Sequence, residues 1–484
     1  MKHDVKNNII LFLSFIADVL VAFSAYFCAT KLYSLIFAPA SVNYINFAVF
    51  LVSMIFFFFM LDLYASKEGS RESTIISVMI SSLASVVILA IVSALFLKDK
   101  YSFSFFLILL VCCAGFIGVW RMAFSFVLVR FREKEKILIL ESSNVPSRLA
   151  RKIKYSCNNI SEAWYYIIDE NKPEEIEHVI NDVVPDYDRV FISKNLSENL
   201  EDRLFEECLL LGKTVNLLAT PGNVSMIRGK IHQFSDTPVM EQRSIYLKKY
   251  QRFLKRSFDI VFSLCALILA SPVFLILPVI IRLDSQGPAF YTQERYTLNK
   301  KVFKIYKFRT MYTDAEKDGA KFSAGDNDNR ITRAGKIIRK LRLDELPQLI
   351  NILNGSMSVV GPRPERPIFA DEFCEKVKHY KLRYTMKAGL TGYAQIYGKY
   401  NTRVSDKILL DMIYAIKYSF WLDIKLVILT VRTMFIKEST EGVDEESERI
   451  LNTYEKELER INNNNPKKED AENETVSDNS GVQL

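Results

Sequence analysis

Histidine is nearly missing: the 484-residue chain has 4, at His3, His178, His232 and His379, far apart in sequence. That argues against a histidine-built metal site and against a Ser-His-Asp triad, and it leaves carboxylates to carry any catalysis. Cysteine is scattered and odd in number, 7 in all, with no Cys-x-x-Cys spacing. Cys28, Cys112, Cys113 and Cys265 lie in apolar stretches, so they read as reduced thiols used as small apolar side chains rather than as disulfide or zinc partners. A strong charge bias is lacking too. Lys+Arg 63 against Asp+Glu 56 gives a net +7, which makes no case for nucleic acid and fits a protein lying on an anionic membrane and handling phosphates.

Long apolar runs are what the first quarter does have. Ile9–Ala29, Ile45–Leu63, Ile75–Phe96 and Phe103–Trp120 are each near the length that spans a bilayer, about 20 residues. The first carries Asp18 and is followed by three more, so it is not a cleaved leader. Lys2 and Lys6 precede the first run, Lys67 and Arg71 separate the second from the third, and Arg121, Arg130, Arg132, Lys134 and Lys136 follow the fourth. The opposite loops hold only Lys31, Lys98 and Lys100. This asymmetry predicts a multi-pass membrane protein with the N-terminus and everything beyond Lys134 cytoplasmic. Asp18 is expected to pack inside the four-helix group.

A fifth run, Ile260–Leu283, has cations on both flanks: Lys248, Lys249, Arg252, Lys255 and Arg256 before it, Arg282 and Arg295 after it. Neither end is suited to the far side. Pro272 and Pro278 each remove a backbone donor, and Ser271 could satisfy a carbonyl freed at the first break. The expected form is a broken helix that enters one leaflet and returns, set against a plain fifth span.

Between about Lys136 and Tyr246, candidate strands Ile137–Leu140, Tyr165–Ile168, Arg189–Ile192 and Val215–Leu218 alternate with helical stretches such as Ser147–Tyr155 and Leu200–Leu211. The alternation predicts a small α/β domain with a parallel sheet. Glycine is absent after the first strand, where Glu141-Ser142-Ser143-Asn144-Val145-Pro146 stands instead. A dinucleotide site needs glycines there and no carboxylate, so the domain reads as Rossmann-like but without a cofactor.

From Lys255 to Phe435 short charged motifs sit among turn residues. Lys307 and Arg309, within Phe303–Met311, are two apart on a candidate strand and would face one way, suiting a diphosphate; a solvated strand face explains them equally well. Asp344-Glu345 stands in an apolar frame after Arg339, Lys340 and Arg342. The two acids could divide attack or metal binding from proton transfer, although acids at a helix start are also common. Arg363, between Pro362 and Pro364, is held on a stiff backbone suited to bidentate phosphate contact, or forms a rigid exposed turn. Gly389-Leu390-Thr391-Gly392-Tyr393-Ala394-Gln395-Ile396 is a glycine-punctuated loop preceded by Tyr380 and Arg383.

The order of these motifs resembles the bacterial sugar transferases, also called polyprenyl glycosylphosphotransferases or monotopic phosphoglycosyl transferases. The likeness covers Arg252–Phe435, and the four spans plus degenerate α/β domain resemble the family's long form. Tyr393 replaces a tryptophan common in the family. The resemblance implies that Asp344 and Glu345 are the catalytic dyad and hold Mg²⁺. It implies a ping-pong reaction in which Asp344 attacks the β-phosphate of a UDP-sugar, UMP leaves, and the sugar-phosphate passes to undecaprenyl phosphate. Arg295, Lys307, Arg309, Arg363 and Arg383 become the phosphate-binding set, and Ser271-Pro272 matches the family's helix-breaking pair. The donor stays open between glucose and galactose, with an N-acetylated amino sugar behind them and a lean to glucose.

The expected architecture is thus a transmembrane four-helix domain (1–133), a degenerate Rossmann-like α/β domain (134–247), an α/β catalytic domain (248–437) with a re-entrant helix at 260–283, and an acidic, partly disordered tail (438–484) with one helix at Glu445–Ile461. The expected partners are the UDP-sugar, undecaprenyl phosphate and membrane lipids, with a homodimer through the α/β domain and no nucleic acid. The product would start a capsule, exopolysaccharide or O-antigen unit. The competing reading is a catalytically inactive membrane scaffold or regulator of polysaccharide assembly; a transporter would need more polar groups in the spans than Asp18 and Asp62.

Overall fold

The computed structural model describes residues 2–37, 39, 42–64, 71–97, 101–131, 135–142, 160–193, 196–234, 236–241, 244–315, 329–398, 402–435 and 482–483. The candidate helix Ser147–Tyr155, the tail helix Glu445–Ile461 and the charged positions Lys67, Lys98, Lys100, Arg132 and Lys134 lie outside them. The chain divides into two compact units, 1–218 with 445–484, and 219–444.

The first unit opens with four apolar helices: α1 (Lys2–Ile36), α2 (Tyr44–Met60), α3 (Arg71–Val92) and α4 (Phe103–Phe131). Asn43 starts α2 by accepting from the Ile45 and Asn46 amides, satisfying donors that the first turn leaves open. α1, α3 and α4 contain segments long and apolar enough to cross a membrane, and α2 is a shorter apolar helix. The inner face of α1 is small, with Ala22, Ala25 and Ala29 beside Tyr26, and it packs against α4 through Phe105 and Leu109. Large apolar side chains such as Leu20, Val52, Leu83 and Val119 are exposed on the outside, as a lipid-facing surface requires. The chain is a multi-pass membrane protein.

Asp18 is buried in this bundle, as expected, but not alone. It forms an ion pair with Arg121 and accepts from Tyr64 Oη (2.8 Å) and Trp120 Nε1 (3.0 Å). Arg121 also donates to the Leu63 carbonyl at 3.1 Å. Arg121 therefore belongs to the interior rather than to the basic flank that follows the fourth run, and α4 continues past it to Phe131.

The same unit contains β1 (Glu135–Glu141), β2 (Ile160–Ile167), β3 (Arg189–Ile192) and β4 (Thr214–Leu217), with α5 (Pro173–His178) and α6 (Glu198–Leu210). The strands are parallel in the order β2-β1-β3-β4, and Val482–Gln483 adds antiparallel to the outer side of β2. Leu138, Leu140, Val190 and Ile192 build the core with Leu200 and Leu204 of α6. From β1 the chain steps outward to β2 and then crosses to the other side of β1 for β3 and β4. Glu141, at the end of β1, is fully buried.

The second unit begins with α7 (Pro221–Met226) and the hairpin β5 (Lys230–Phe234) and β6 (Thr237–Glu241). Val224 packs with Ile408, Met412 and Ile416 of this unit. α8 (Lys249–Asp284) is one continuous helix with both prolines inside it, starting well before the apolar run and not interrupted at Pro272. The physical reason is local. Pro272 leaves the Ile268 carbonyl without its amide, and Ser271 Oγ donates to that carbonyl at 2.7 Å.

Both ends of α8 are fastened to the same unit. Near the start, Lys255 reaches Tyr414 Oη (2.9 Å) and Asp423 (2.7 Å), and Arg256 donates to the Ile352 and Leu353 carbonyls, both at 2.6 Å. Asp259 accepts from Ser358 Oγ and the Val359 amide, both at 2.9 Å. At the far end Asp284 accepts from the Ala334 amide at 3.0 Å. Between the anchors Leu264, Ile268, Leu269, Leu275 and Ile276 are exposed. The remaining elements are the antiparallel hairpin β7 (Phe290–Tyr296) and β8 (Val302–Phe308), then α9 (Arg333–Lys340), α10 (Gln348–Leu353), β9 (Ser358–Val360), α11 (Pro367–Lys376), β10 (Gly389–Thr391), α12 (Tyr393–Tyr397), α13 (Val404–Lys417) and α14 (Phe420–Met434).

Candidate active site

Asp344 and Glu345 stand on a single 3₁₀ turn, Leu343–Glu345, between α9 and α10. Arg342 enters it in the left-handed region (φ 54°), which turns the chain sharply out of α9. Leu343 and Leu346 on either side of the acids pack into the core with Phe308 and Ile338. The apolar frame thus holds the turn, and the two carboxyl groups stay at its surface, 14% and 15% exposed.

Lys307 comes from β8, where it pairs with Tyr291. Its Nζ lies 3.1 Å from Glu345 Oε1 and 3.8 Å from Asp344 Oδ2. Arg363 Nη2 approaches the same Glu345 oxygen at 3.5 Å, and its Nη1 donates to Gln395 Oε1 at 3.3 Å. Glu345 is therefore tied to two cations. Among the described residues Asp344 accepts no hydrogen bond, and its nearest cation is Lys307.

The environments push the two acids apart. Burial raises Asp344 above the usual carboxylate range, with Glu345 adding to the rise and Lys307 opposing it. Burial pushes Glu345 up as well, but Lys307, Arg363 and Arg342 outweigh it and hold that carboxyl well below the usual range. Neighbouring carboxyls with opposed shifts are a mark of divided roles.

The five predicted phosphate ligands separate into groups. Lys307 and Arg363 meet the dyad. Arg309 does not share a face with Lys307: β8 ends at Phe308, so strand alternation no longer governs the next residue. Arg309 is buried and donates to the carbonyls of Ser285 (2.6 Å), Gln286 (2.8 Å) and Ile281 (3.4 Å), capping the end of α8. A cation there meets the negative end of the helix dipole. Gly287 allows the approach, having φ +118° and a position where a Cβ would lie 2.2 Å from Arg309 Nη1. Arg295 and Arg383 lie behind Arg363 and donate to the carbonyls of Pro364 (3.2 Å) and Arg363 (3.1 Å).

Three contributors carried no sequence assignment. Gln395 orients Arg363, and Arg339 and Arg342 bear electrostatically on Asp344 and Glu345 respectively. The two arginines stand within five residues of the dyad, which is the only sequence signal they offer. Gln395 is 50 residues from Glu345 and stands inside the glycine-punctuated loop, which marked the segment without giving this residue a role.

Among the described residues no group of three or more His, Cys, Asp or Glu side chains could hold a metal. The partly exposed pair does fit the way Mg²⁺ is usually held on phosphate substrates, through one or two carboxylates with phosphate oxygens and water completing the shell.

The fold and site define a multi-pass membrane protein with a carboxylate pair set among cations, an arrangement suited to phosphate chemistry. The chain belongs to the bacterial sugar transferases, whose family model matches residues 250–437. It is 44% identical over 32% of its length to the putative undecaprenyl-phosphate N-acetylgalactosaminyl 1-phosphate transferase of Bacillus subtilis, covering 81% of that protein. It is 43% identical to the UDP-N-acetylgalactosamine-undecaprenyl-phosphate N-acetylgalactosaminephosphotransferase of Aeromonas hydrophila, over 38% of this chain and 44% of that one. It is 35% identical to the UDP-glucose:undecaprenyl-phosphate glucose-1-phosphate transferase of Escherichia coli, over 48% and 51%. The chain spans about half the length of the last two relatives.

Proposed function

We propose that this protein transfers a sugar-1-phosphate from a UDP-sugar to undecaprenyl phosphate at the cytoplasmic face of a bacterial inner membrane. The observation that carries the reading is the contrast within the dyad: Glu345 is held by Lys307 and Arg363, while Asp344 accepts no hydrogen bond among the described residues and has only a long ion pair with Lys307, at 3.8 Å. A nucleophile needs free lone pairs, and an acid raised by burial is the stronger nucleophile once ionised.

In this mechanism a carboxylate oxygen of Asp344 attacks the β-phosphorus of the UDP-sugar. The bond from that phosphorus to the bridging oxygen breaks, and the oxygen leaves on UMP. Asp344 then carries the phosphosugar as an acyl phosphate. An oxygen of undecaprenyl phosphate attacks the same phosphorus, and the aspartyl oxygen leaves with its electron pair, giving undecaprenyl-diphosphate-sugar. Lys307 and Arg363 offset the repulsion between the carboxylates and the diphosphate and stabilise charge on the transferring group. Glu345, kept ionised by those cations, holds them at the site. Mg²⁺, held by Asp344 and Glu345 together with the diphosphate, would neutralise phosphate charge. The product would start a surface polysaccharide unit.

The membrane side follows from α8. Its two ends fastened to one unit, its exposed apolar middle and its two internal prolines suit a continuous helix that bends within one leaflet and returns, so that the dyad meets a lipid phosphate at the interface and a soluble donor. Cysteines placed beside Arg256 and Asp284 in a cysteine-free background should both be shielded from an impermeant reagent added outside the cell. Labelling of one end from outside would refute the re-entrant geometry.

The donor was expected to be glucose or galactose. The relatives of 43% and 44% identity carry N-acetylgalactosamine in their names, so UDP-N-acetylgalactosamine belongs in the test beside UDP-glucose and UDP-galactose. One of them should give Mg²⁺-dependent UMP from purified protein, and Asp344→Asn should reduce it by more than about a thousandfold. UMP release unaffected by that substitution would remove Asp344 as nucleophile.

A further inference from the structure

The loop that carries Arg363 is held at each carbonyl from Pro362 to Glu365. The Pro362 oxygen accepts from the Gly389 amide (2.9 Å), that of Arg363 from Arg383 Nη2 (3.1 Å), that of Pro364 from Arg295 Nη1 (3.2 Å), and that of Glu365 from the Tyr296 amide (3.2 Å). Two of these four donors are backbone amides, fixed by the fold. The other two are guanidinium groups from separate elements, the buried Arg383 of a 3₁₀ turn at Tyr380–Thr385 and the half-buried Arg295 of strand β7.

We propose that Arg383 and Arg295 are positioning residues that set Arg363 against Glu345 by gripping the backbone of its loop, and that neither binds the substrate's phosphates. The donors of Arg383 are committed elsewhere. Nη1 donates to Tyr380 Oη at 2.8 Å, Nη2 to the Arg363 carbonyl, and the group pairs with Asp411 at 3.3 Å and lies 3.9 Å from Glu365. It is 7% exposed and Asp411 is 3% exposed, so the pair is shut away from solvent. Arg295 Nη2 donates to Gln293 Oε1 at 2.5 Å while Nη1 holds Pro364.

The arrangement has a mechanical consequence. The Arg363 side chain is 49% exposed and reaches Glu345 from a loop only a few residues long. A long, exposed side chain loses rotamer freedom when fixed, and the part of that cost due to the backbone is met before substrate arrives if the loop is already pinned. Arg295 lies on the hairpin that also carries Lys307, so the element presenting one dyad cation restrains the loop presenting the other. Lysine cannot replace Arg383 here, because one ammonium cannot serve the Tyr380 hydroxyl, the Arg363 carbonyl and Asp411 in the same fork.

The test is a double-mutant cycle with a second, activity-free measurement. The kinetic arm rests on the function proposed above; the exchange arm does not. Arg383→Met should lower kcat/KM for UMP release by about 100-fold, and Arg383→Lys by less, about 10-fold, since it retains the charge. On an Arg363→Met background either change should alter kcat/KM by no more than about twofold, because the residue through which it acts is already gone. Hydrogen exchange of the full-length protein in lipid should then show faster exchange at residues 361–366 in Arg383→Lys and Arg295→Met, with α9, which neither arginine touches, unchanged. Additive losses in the cycle would mean that Arg383 touches substrate directly and would overturn the proposal. Unchanged exchange at 361–366 would overturn it equally, even if wild type released no UMP and the function itself had failed.

Discussion

Lys307 serves both members of the dyad, and its removal should separate two effects. On the proposed mechanism Asp344 must be ionised to attack, and burial holds its pKa above the ordinary carboxylate range. kcat/KM should therefore rise with pH through that raised value, an acid limb lying higher than that of an exposed aspartate. Lys307 favours the ionised form, so Lys307→Met stabilises the protonated acid and moves the limb to still higher pH. It should also lower the plateau by about 10- to 100-fold, the effect of a lost charge-assisted contact. A pH–rate series at fixed Mg²⁺ measures both, and a limb that moved to lower pH would contradict the arrangement. The roles of Lys307 and Arg309 could not be separated from sequence, because the strand's end one residue past Lys307 is a tertiary fact. Asp344-Glu345 was legible because two acids inside a run of leucines have few other uses; which of them stays uncommitted depends on Lys307 and Arg363, 37 and 19 residues from Asp344 by number.

At the scale of the element, α8 is continuous where a break was expected. Ser271 donating to Ile268 explains how the helix passes Pro272, and a swap tests it. Ser271→Ala leaves that carbonyl without a protein donor and should cost about 1–3 kcal/mol, read as a lowered unfolding midpoint in a lipid nanodisc. Adding Pro272→Ala restores the amide donor and should recover most of the loss. A midpoint unmoved by Ser271→Ala would mean the carbonyl needs no protein donor. The apolar run, the flanking cations and both prolines were readable in the sequence. The helix's early start at Lys249 was not, because its first turns are held by partners far along the chain, Tyr414, Asp423 and the carbonyls of α10.

For the whole molecule, the buried Asp18–Arg121 pair joins α1, α4 and the turn after α2. Asp18→Ala leaves a buried guanidinium without its carboxylate and should cost about 3–5 kcal/mol, while Asp18→Leu with Arg121→Met should recover much of it, since a packed apolar pair is often no less stable. Thermal unfolding in lipid measures the difference; equal losses in the single and double variants would show that the pair contributes only through packing. Charge counting had assigned Arg121 to the cytoplasmic flank, because a basic residue just past an apolar run looks the same in sequence whether it meets water or a buried acid.

The sequence by itself determined the membrane spans, the alternating parallel strands of the middle segment and the order of the chemical motifs, since hydrophobic length, strand period and adjacent acids are local properties. The tertiary structure alone decided which of five basic residues act at the dyad and which hold the frame. Two meet the carboxylates, one caps α8 and two grip the Arg363 loop. An arginine's role is set by the acceptor it reaches. Here those acceptors are backbone carbonyls and carboxylates that folding brings together from distant parts of the chain.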